Sequence, residues 1–587
     1  LGMDQQHQRF MSWSELLLTL IQLHTPADCA EGLVMKRHGP HEATTFLPRR
    51  LLLLFLLVSS TQLHGTRSAP GEAEALLEWK DNLITRPEEQ ALASWDREAA
   101  ANSTVAACWW RGVSCDAFGR VLGINVAVAG LAGTLDALDL SSLRSLASLN
   151  LSFNSLTGSF PSDVSTPLLS ISSVDLSNNN LSGPPIPAVL PAYMPNLEHL
   201  NLTSNQLAGE IPSSLANLTK LQSLLLGKNS LSGGIPAVLG SISGLRALEL
   251  HNNPLGGAIP VTLGKLRSLE RINVSIALLE STIPTELSSC SNLTVIGLAA
   301  NKLSGNLPVS WAKLTKMREF NVSKNMLTGE ILPDYFRAWT RLQVFQADNN
   351  RFIGGIPTEV GMASRLEFLS FATNNLSGSI PGIIGNLTNL RLLDLAENEL
   401  SGTIPRTIGN LTRLHTLRLY DNQLTGRLPD EFGNMTELQR LSISTNMLQG
   451  ELPAELGRLP NLLGLIAFDN LFSGAIPPDL GGNGLLSMVS MSDNGFSGGG
   501  VCLHCCAIAR HASGTSPWTT TTSPATSPPA TATLRSLYAS GWHATGLLES
   551  CRRYSNRIRT CTTSTCPGTH LKASSQSTGL SSRASRT

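Results

Sequence analysis

Several short stretches carry residue types able to do chemistry, and each falls short of a working constellation. Cys502, Cys505 and Cys506 in "CLHCC", with Cys551, Cys561 and Cys566 further on, supply thiolates for a soft metal, but their spacing fits no standard zinc module. "DNGFSG" at Asp493 is not the Asp-Phe-Gly that holds magnesium in a phosphotransferase, and neither an H-R-D loop nor a V-A-I-K strand occurs anywhere. "GGNG" at Gly481 matches no phosphate-cradling pattern in full. The histidines are scattered, and His415 reads as a surface residue. The chain is therefore expected to bind rather than to catalyse, with no metal and no cofactor.

Charge narrows the partner. Lys and Arg number 43 against 43 Asp and Glu, and only 15% of residues are charged, which argues against a nucleic-acid or other polyanionic partner. Ten cysteines in 587 residues are too few for a disulfide framework. A basic flank at Arg49 and Arg50, an apolar run Leu51 to Val58 and a small polar exit have the order of a secretory signal. That run is too short to span a bilayer, which takes about 20 residues, and no later apolar run is long enough either. Residues 1–34 are expected to be extra sequence ahead of a start at Met35, and 35–70 to be the signal region.

The elements that would position a binding site come from a repeat. A leucine opens a unit every 24 residues from Leu197 to Leu293; after Met317 the spacing slips by one to Leu342, then holds to Leu486, and looser copies begin at Val121, Leu146 and Ile171. Each unit reads LxxLxLxxNxLxGxIP, as in "LRLLDLAENELSGTIP" from Leu390, which gives sixteen units over 121–498. In LxL the two leucines share one side of a short strand and the residue between them faces the other. No unit buries its leucines alone, so neighbours stack and their strands form one parallel sheet on the concave side of an α/β repeat solenoid. The recurrent asparagine, Asn154 through Asn494, offers donors and acceptors to turn backbone that stacking leaves unpaired. Unit seven, "LERINVSIALLESTIP", breaks the pattern with Ala277 for the asparagine and Ser281 for the glycine, which implies either a weakened interface or drift without consequence.

This pattern, with its "GxIP" element, resembles the plant-type leucine-rich repeat (LRR). The segment before it, 71–120, is similar to the N-terminal cap of plant LRR receptor-like kinases and receptor-like proteins. It carries "EAEALLEWKDNL", whose Leu76, Trp79 and Leu83 fall at helical spacing and would cover the open end of the core, and then "SWDREAAANSTVAACWWRGVSC". The resemblance implies a plant-type superhelix, a disulfide between Cys108 and Cys115 in the cap, a secreted or plasma-membrane location, and an ectodomain that binds a peptide or other extracellular ligand and recruits a co-receptor ectodomain. In the intact family a membrane helix and a Ser/Thr kinase using ATP follow; this chain carries no kinase motif and is expected to stop before both. A free-standing secreted binder resembling polygalacturonase inhibitors, or a decoy receptor, is the alternative.

Twelve Asn-x-Ser/Thr sequons are candidate glycan carriers: Asn102, Asn150, Asn180, Asn201, Asn217, Asn273, Asn292, Asn321, Asn375, Asn386, Asn410 and Asn434. Asn150, Asn201, Asn273 and Asn321 occupy the central x of LxL, so glycans there would obstruct the concave face in units two to nine. From unit ten onward that face is free of sequons. Its mixed chemistry, with Phe368, Arg391, Asp394, Arg418, Tyr420, Asp421, Arg440, Phe468 and Asp469, marks the expected ligand site.

Beyond Gly498 the repeat stops. Residues 499–587 hold nine Lys or Arg, one acidic residue, Glu549, and long Ser/Thr/Pro runs, a composition that cannot bury enough apolar surface to fold. A change of reading frame is the sharper expectation. Regrouping the codons of Thr522 to Glu549 permits "FTGNVPACYRNFAELVRLRMARNRLAG", which is the repeat again, and resequencing the transcript across codons 495 to 505 decides it.

Overall fold

The computed structural model describes residues 71–84, 92–102, 105–161, 166–183 and 186–497. The signal region, the residues ahead of it and the Ser/Thr/Pro-rich tail lie outside them. Sixteen short parallel strands, one per repeat from Val121–Asn125 to Met488–Ser490, form the inner sheet, and an antiparallel strand Val113–Cys115 starts it. Registers are uniform: Leu369 pairs with Leu393, and Leu393 with Leu417. All three of these leucines are fully buried. Period-two alternation thus places one column of leucines inside and leaves the flanking residues to the open face.

A typical ladder asparagine satisfies four backbone groups. Asn374 donates Nδ2 to the carbonyls of Ala347 at 3.0 Å, Phe371 at 3.0 Å and Ala372 at 3.1 Å, and its Oδ1 accepts from Phe352 N at 3.0 Å. One side chain therefore bonds to its own unit and to the unit before it. The residue just ahead of it lies in the left-handed region in every unit, for example Thr373 at φ 54° and Glu397 at φ 53°. That conformation is not coded by glycine or asparagine alone, because inter-unit bonds such as Thr373 N to Ala396 O, 2.8 Å, hold it.

A second run of strands follows the asparagines and is not continuous. Ala132–Thr134 and Ser155–Thr157 make one piece, Ser182–Gly183, Gln206–Glu210 and Ser230–Ser232 a second, and ten strands from Glu280–Thr282 to Gly495–Phe496 a third. The break before the ten-stranded piece falls at "NNPLGG" in unit six, where Pro254 has no N–H for a ladder. Unit seven is strained beside it. Ser281 takes φ 78° at the position that glycine fills in most units, and Leu278 takes φ 54°. Asn301 compensates for Ala277 by accepting from both Ala277 N and Leu279 N, each at 3.0 Å.

The one-residue slip also has a physical cause. Most units return by a short 3-10 turn, whereas the slipped one returns by an α-helix, Pro333–Ala338. Its Tyr335 and Trp339 stack at 4.4 Å between ring centroids, and Phe320 and Phe345 pack on Trp339 at 5.1 Å and 6.3 Å. Bulky rings fill the space that the extra residue opens. The Tyr335 hydroxyl donates to Pro308 O at 2.8 Å and Trp339 Nε1 to Trp311 O at 3.2 Å, so both buried donors are satisfied.

At the N-terminal end the helix Glu72–Asp81 covers the core with Leu76 and Trp79, both fully buried. Trp79 faces Trp95 at 6.2 Å, and Trp95 stacks on Trp110 at 5.5 Å. A Cys108–Cys115 disulfide ties the turn Ala106–Trp109 to the strand that opens the inner sheet. Cys290, free and fully buried, donates its thiol to Leu263 O at 3.4 Å, and burial pushes its pKa up to about 11. It is a core residue.

Candidate ligand-binding face

Three positions of each unit face the open side: the first and last residues of the inner strand and the residue two beyond it. The last strand position has an unexpected second role. Where it is Asn or Asp, its side-chain oxygen accepts from the backbone N–H two residues on: Asn150 to Ser152 at 3.1 Å, Asp175 to Ser177 at 2.9 Å, Asn201 to Thr203 at 3.1 Å, Asn273 to Ser275 at 3.2 Å, and Asn321 to Ser323 at 3.0 Å. This Asx turn closes each strand end. The amides also bond sideways, Asn201 to Asp175 at 3.1 Å and Asn321 to Gln346 at 2.8 Å. The four concave-face sequons thus coincide with a structural cap, a role that the N-x-S/T spacing alone does not reveal.

Other sequon asparagines lie elsewhere. Asn217, Asn386, Asn410 and Asn434 are exposed and end the 3-10 turns opposite the inner sheet, and Asn180 and Asn375 are exposed at the second run of strands. Asn292 is partly buried, donating to Arg267 O and accepting from Lys316 Nζ. Asn102 closes the short helix Arg97–Asn102.

Among the proposed ligand contacts, Phe368, Asp394, Arg418 and Arg440 stand on strand positions facing the open side. Asp394 and Arg418 are direct register neighbours and form an ion pair at 2.9 Å. Asp394 is only 7% exposed, and burial pushes its carboxyl above the usual range against the pull of Arg418. Tyr420 donates to Glu397 at 3.1 Å, and Glu397 also accepts from Thr373 at 3.2 Å. Burial pushes the tyrosine hydroxyl up. Burial, then the neighbouring Arg418, push the Arg440 guanidinium down. Phe468 is partly buried just past its strand, Gly464–Ile466.

Three expected contacts leave the sheet. Arg391 sits one residue ahead of the strand Leu392–Asp394, is exposed, and lies 3.5 Å from Glu367 of the preceding unit. Asp421 and Asp469 occupy the left-handed turn position, at φ 55° each, and are exposed on the rim. Alternation runs from the first strand residue to the one two beyond its end, and these residues lie outside that span. Conversely Glu319, Val344 and Leu392, at the first strand position, join Phe368 in one column that sequence reading passed over. Their signal was the same repeat position as Phe368. Among the described residues no group of His, Cys, Asp and Glu is placed to hold a metal, and no helix is long and apolar enough to cross a membrane.

Residues 69–116 match the leucine-rich repeat N-terminal domain, 356–471 a leucine-rich repeat region, and 145–166 and 196–218 single leucine-rich repeats. Among solved structures, the LRR ectodomain of the Arabidopsis receptor kinase HAESA in complex with an N-terminal extended IDA peptide hormone ligand aligns at 30% identity, TM-score 0.61, over 73% of this chain and 78% of that one. The PEPR1–AtPEP1 complex aligns at 31% identity, TM-score 0.63, over 72% of this chain and 59% of that one. Both describe a receptor-type repeat superhelix. The chain belongs to the plant leucine-rich-repeat receptor-like kinase and receptor-like protein family. Curated relatives include the Arabidopsis thaliana serine/threonine-protein kinase BRI1-like 1, 32% identical over 181 residues, and LRR receptor-like serine/threonine-protein kinase GSO2, 35% identical over 174. Those alignments take in 29% of this chain each, and 15% and 11% of the relatives' own lengths.

Proposed function

We propose that this chain is the extracellular ligand-binding portion of a plant LRR receptor, taking an extended peptide on its inner face chiefly from unit ten to unit fifteen, with a co-receptor ectodomain as second partner. The observation that carries the reading is the likeness, over 73% of the chain, to a receptor ectodomain described in complex with a peptide hormone. The open face supplies the chemistry: an apolar column around Phe368, and a polar corner where Asp394, Arg418, Tyr420 and Arg440 meet.

The ion pair decides how to test this. Reversing Arg418 would strand Asp394, a carboxylate 7% exposed, and destabilise the fold as well as the site. The better variant is Phe368→Ala with Arg440→Glu in the full secreted chain. Incubated with the peptide fraction of plant extracellular fluid, the wild type should retain specific peptides identifiable by mass spectrometry. The double variant should lose them while its melting temperature stays within a few degrees. Equal retention by both proteins, or no enrichment over an unrelated solenoid, would remove the proposal.

A further inference from the structure

The carboxylates facing the inner side are almost all spoken for. Glu249 pairs with Arg271 at 3.2 Å and Asp394 with Arg418 at 2.9 Å. Asp348 accepts from Ser323 Oγ at 2.6 Å, and Asp175 from Ser177 N and Asn201 Nδ2. Glu319 is the exception: among the described residues its carboxylate has neither a hydrogen bond nor an ion pair. Its register neighbours are Val295 and Val344, which have nothing to donate. Arg271, two strands away, is engaged by Glu249. Burial pushes the Glu319 carboxyl up more than Arg271 and Arg318 pull it down. A half-buried anion between two valines is costly unless something arrives to pair with it.

The same column continues Val344, Phe368, Leu392. With strands about 4.8 Å apart these stand roughly 5, 10 and 14 Å from Glu319 along the sheet, a span that an extended chain covers in about four residues. Resting on the peptide reading above, we propose that Glu319 selects a cationic residue of the ligand, a Lys, Arg or free amino terminus, followed or preceded within about four residues by aliphatic or aromatic side chains seated on Val344, Phe368 and Leu392.

The test uses the immobilised full chain and paired synthetic peptides about twelve residues long, each bearing one Lys, or Gln in its matched control, next to an alternating Leu/Val segment. The wild type should hold the Lys peptides at least about tenfold more tightly. Glu319→Gln should erase that preference. Because an ionised Glu319 whose folded pKa is raised costs stability at neutral pH, the same variant should keep or raise the melting temperature, which a purely structural residue would not do. A Lys preference that survives Glu319→Gln, or an affinity loss that tracks a fall in melting temperature, overturns the assignment. Retention of Lys and Gln peptides alike overturns it and leaves the peptide reading standing. Retention of neither set removes both.

Discussion

A single asparagine per turn does more for this molecule than any charged residue. Asn374, 9% exposed, bonds to four backbone groups across two units, so Asn374→Ala leaves several polar groups unpaired. A loss of about 3 kcal/mol is expected, read as a lowered melting midpoint; Asn434→Ala, on the exposed outer turn, should change it little. Glu72 makes the opposite kind of contribution. It is 3% exposed and accepts from Val121 N at 3.0 Å, tying the capping helix to the first repeat strand. Burial raises its pKa despite that bond. A carboxyl whose folded pKa is raised gives its stability below the unfolded pKa and loses it as pH rises through the folded one. Glu72→Gln keeps an oxygen acceptor without the charge, so it should melt above wild type at neutral pH. The gap should close as pH falls through the ordinary carboxylate range; a gap that widens on acidification would refute this account.

At the scale of the repeat, what was legible followed from period. Leucine spacing, the LxL alternation and the ladder asparagine specify the inner sheet because each repeats with one meaning. The left-handed residue before every ladder asparagine was invisible, since Phe153, Lys228, Glu397 and Thr445 share no side-chain property and the backbone of the next unit imposes the conformation. The aromatic node was half visible. A one-residue slip is readable, but a helix at Pro333–Ala338 packed by Tyr335 and Trp339 is a tertiary solution to it. Trp339→Ala should therefore cost about 3–5 kcal/mol, whereas Tyr335→Phe, which loses only the bond to Pro308 O, should cost about 1–2 kcal/mol. Equal losses in the two variants, measured by chemical denaturation, would contradict this division between packing and hydrogen bonding. The candidate site was readable for strand residues such as Phe368 and Arg440, and unreadable for Arg391, Asp421 and Asp469, which lie outside the span over which side chains alternate.

Across the whole molecule each repeat touches only its neighbours, so the weakest interface governs where the stack opens. The inner sheet runs unbroken through units six and seven, in register from Ala247 to Arg271 and on to Val295, but the second run of strands is interrupted there. Three weaknesses coincide: Pro254 without an N–H, Ala277 in place of a ladder asparagine, and Ser281 held at φ 78°. Glycine at position 281 would relieve the last of these, and Ser281→Gly should stabilise the protein by roughly 0.5–1 kcal/mol, unlike most substitutions to glycine. The same logic locates local opening. Backbone amides of Gly256 and of Leu278 to Thr282 should exchange with deuterium faster than their counterparts around Gly329 and Gly402, and Ser281→Gly should slow them. Uniform protection along the second run of strands would mean that the continuous inner sheet alone sets cooperativity. Faster exchange at the break would instead mean that the solenoid opens as two blocks, with Glu319, Phe368 and Arg440 together on the C-terminal one.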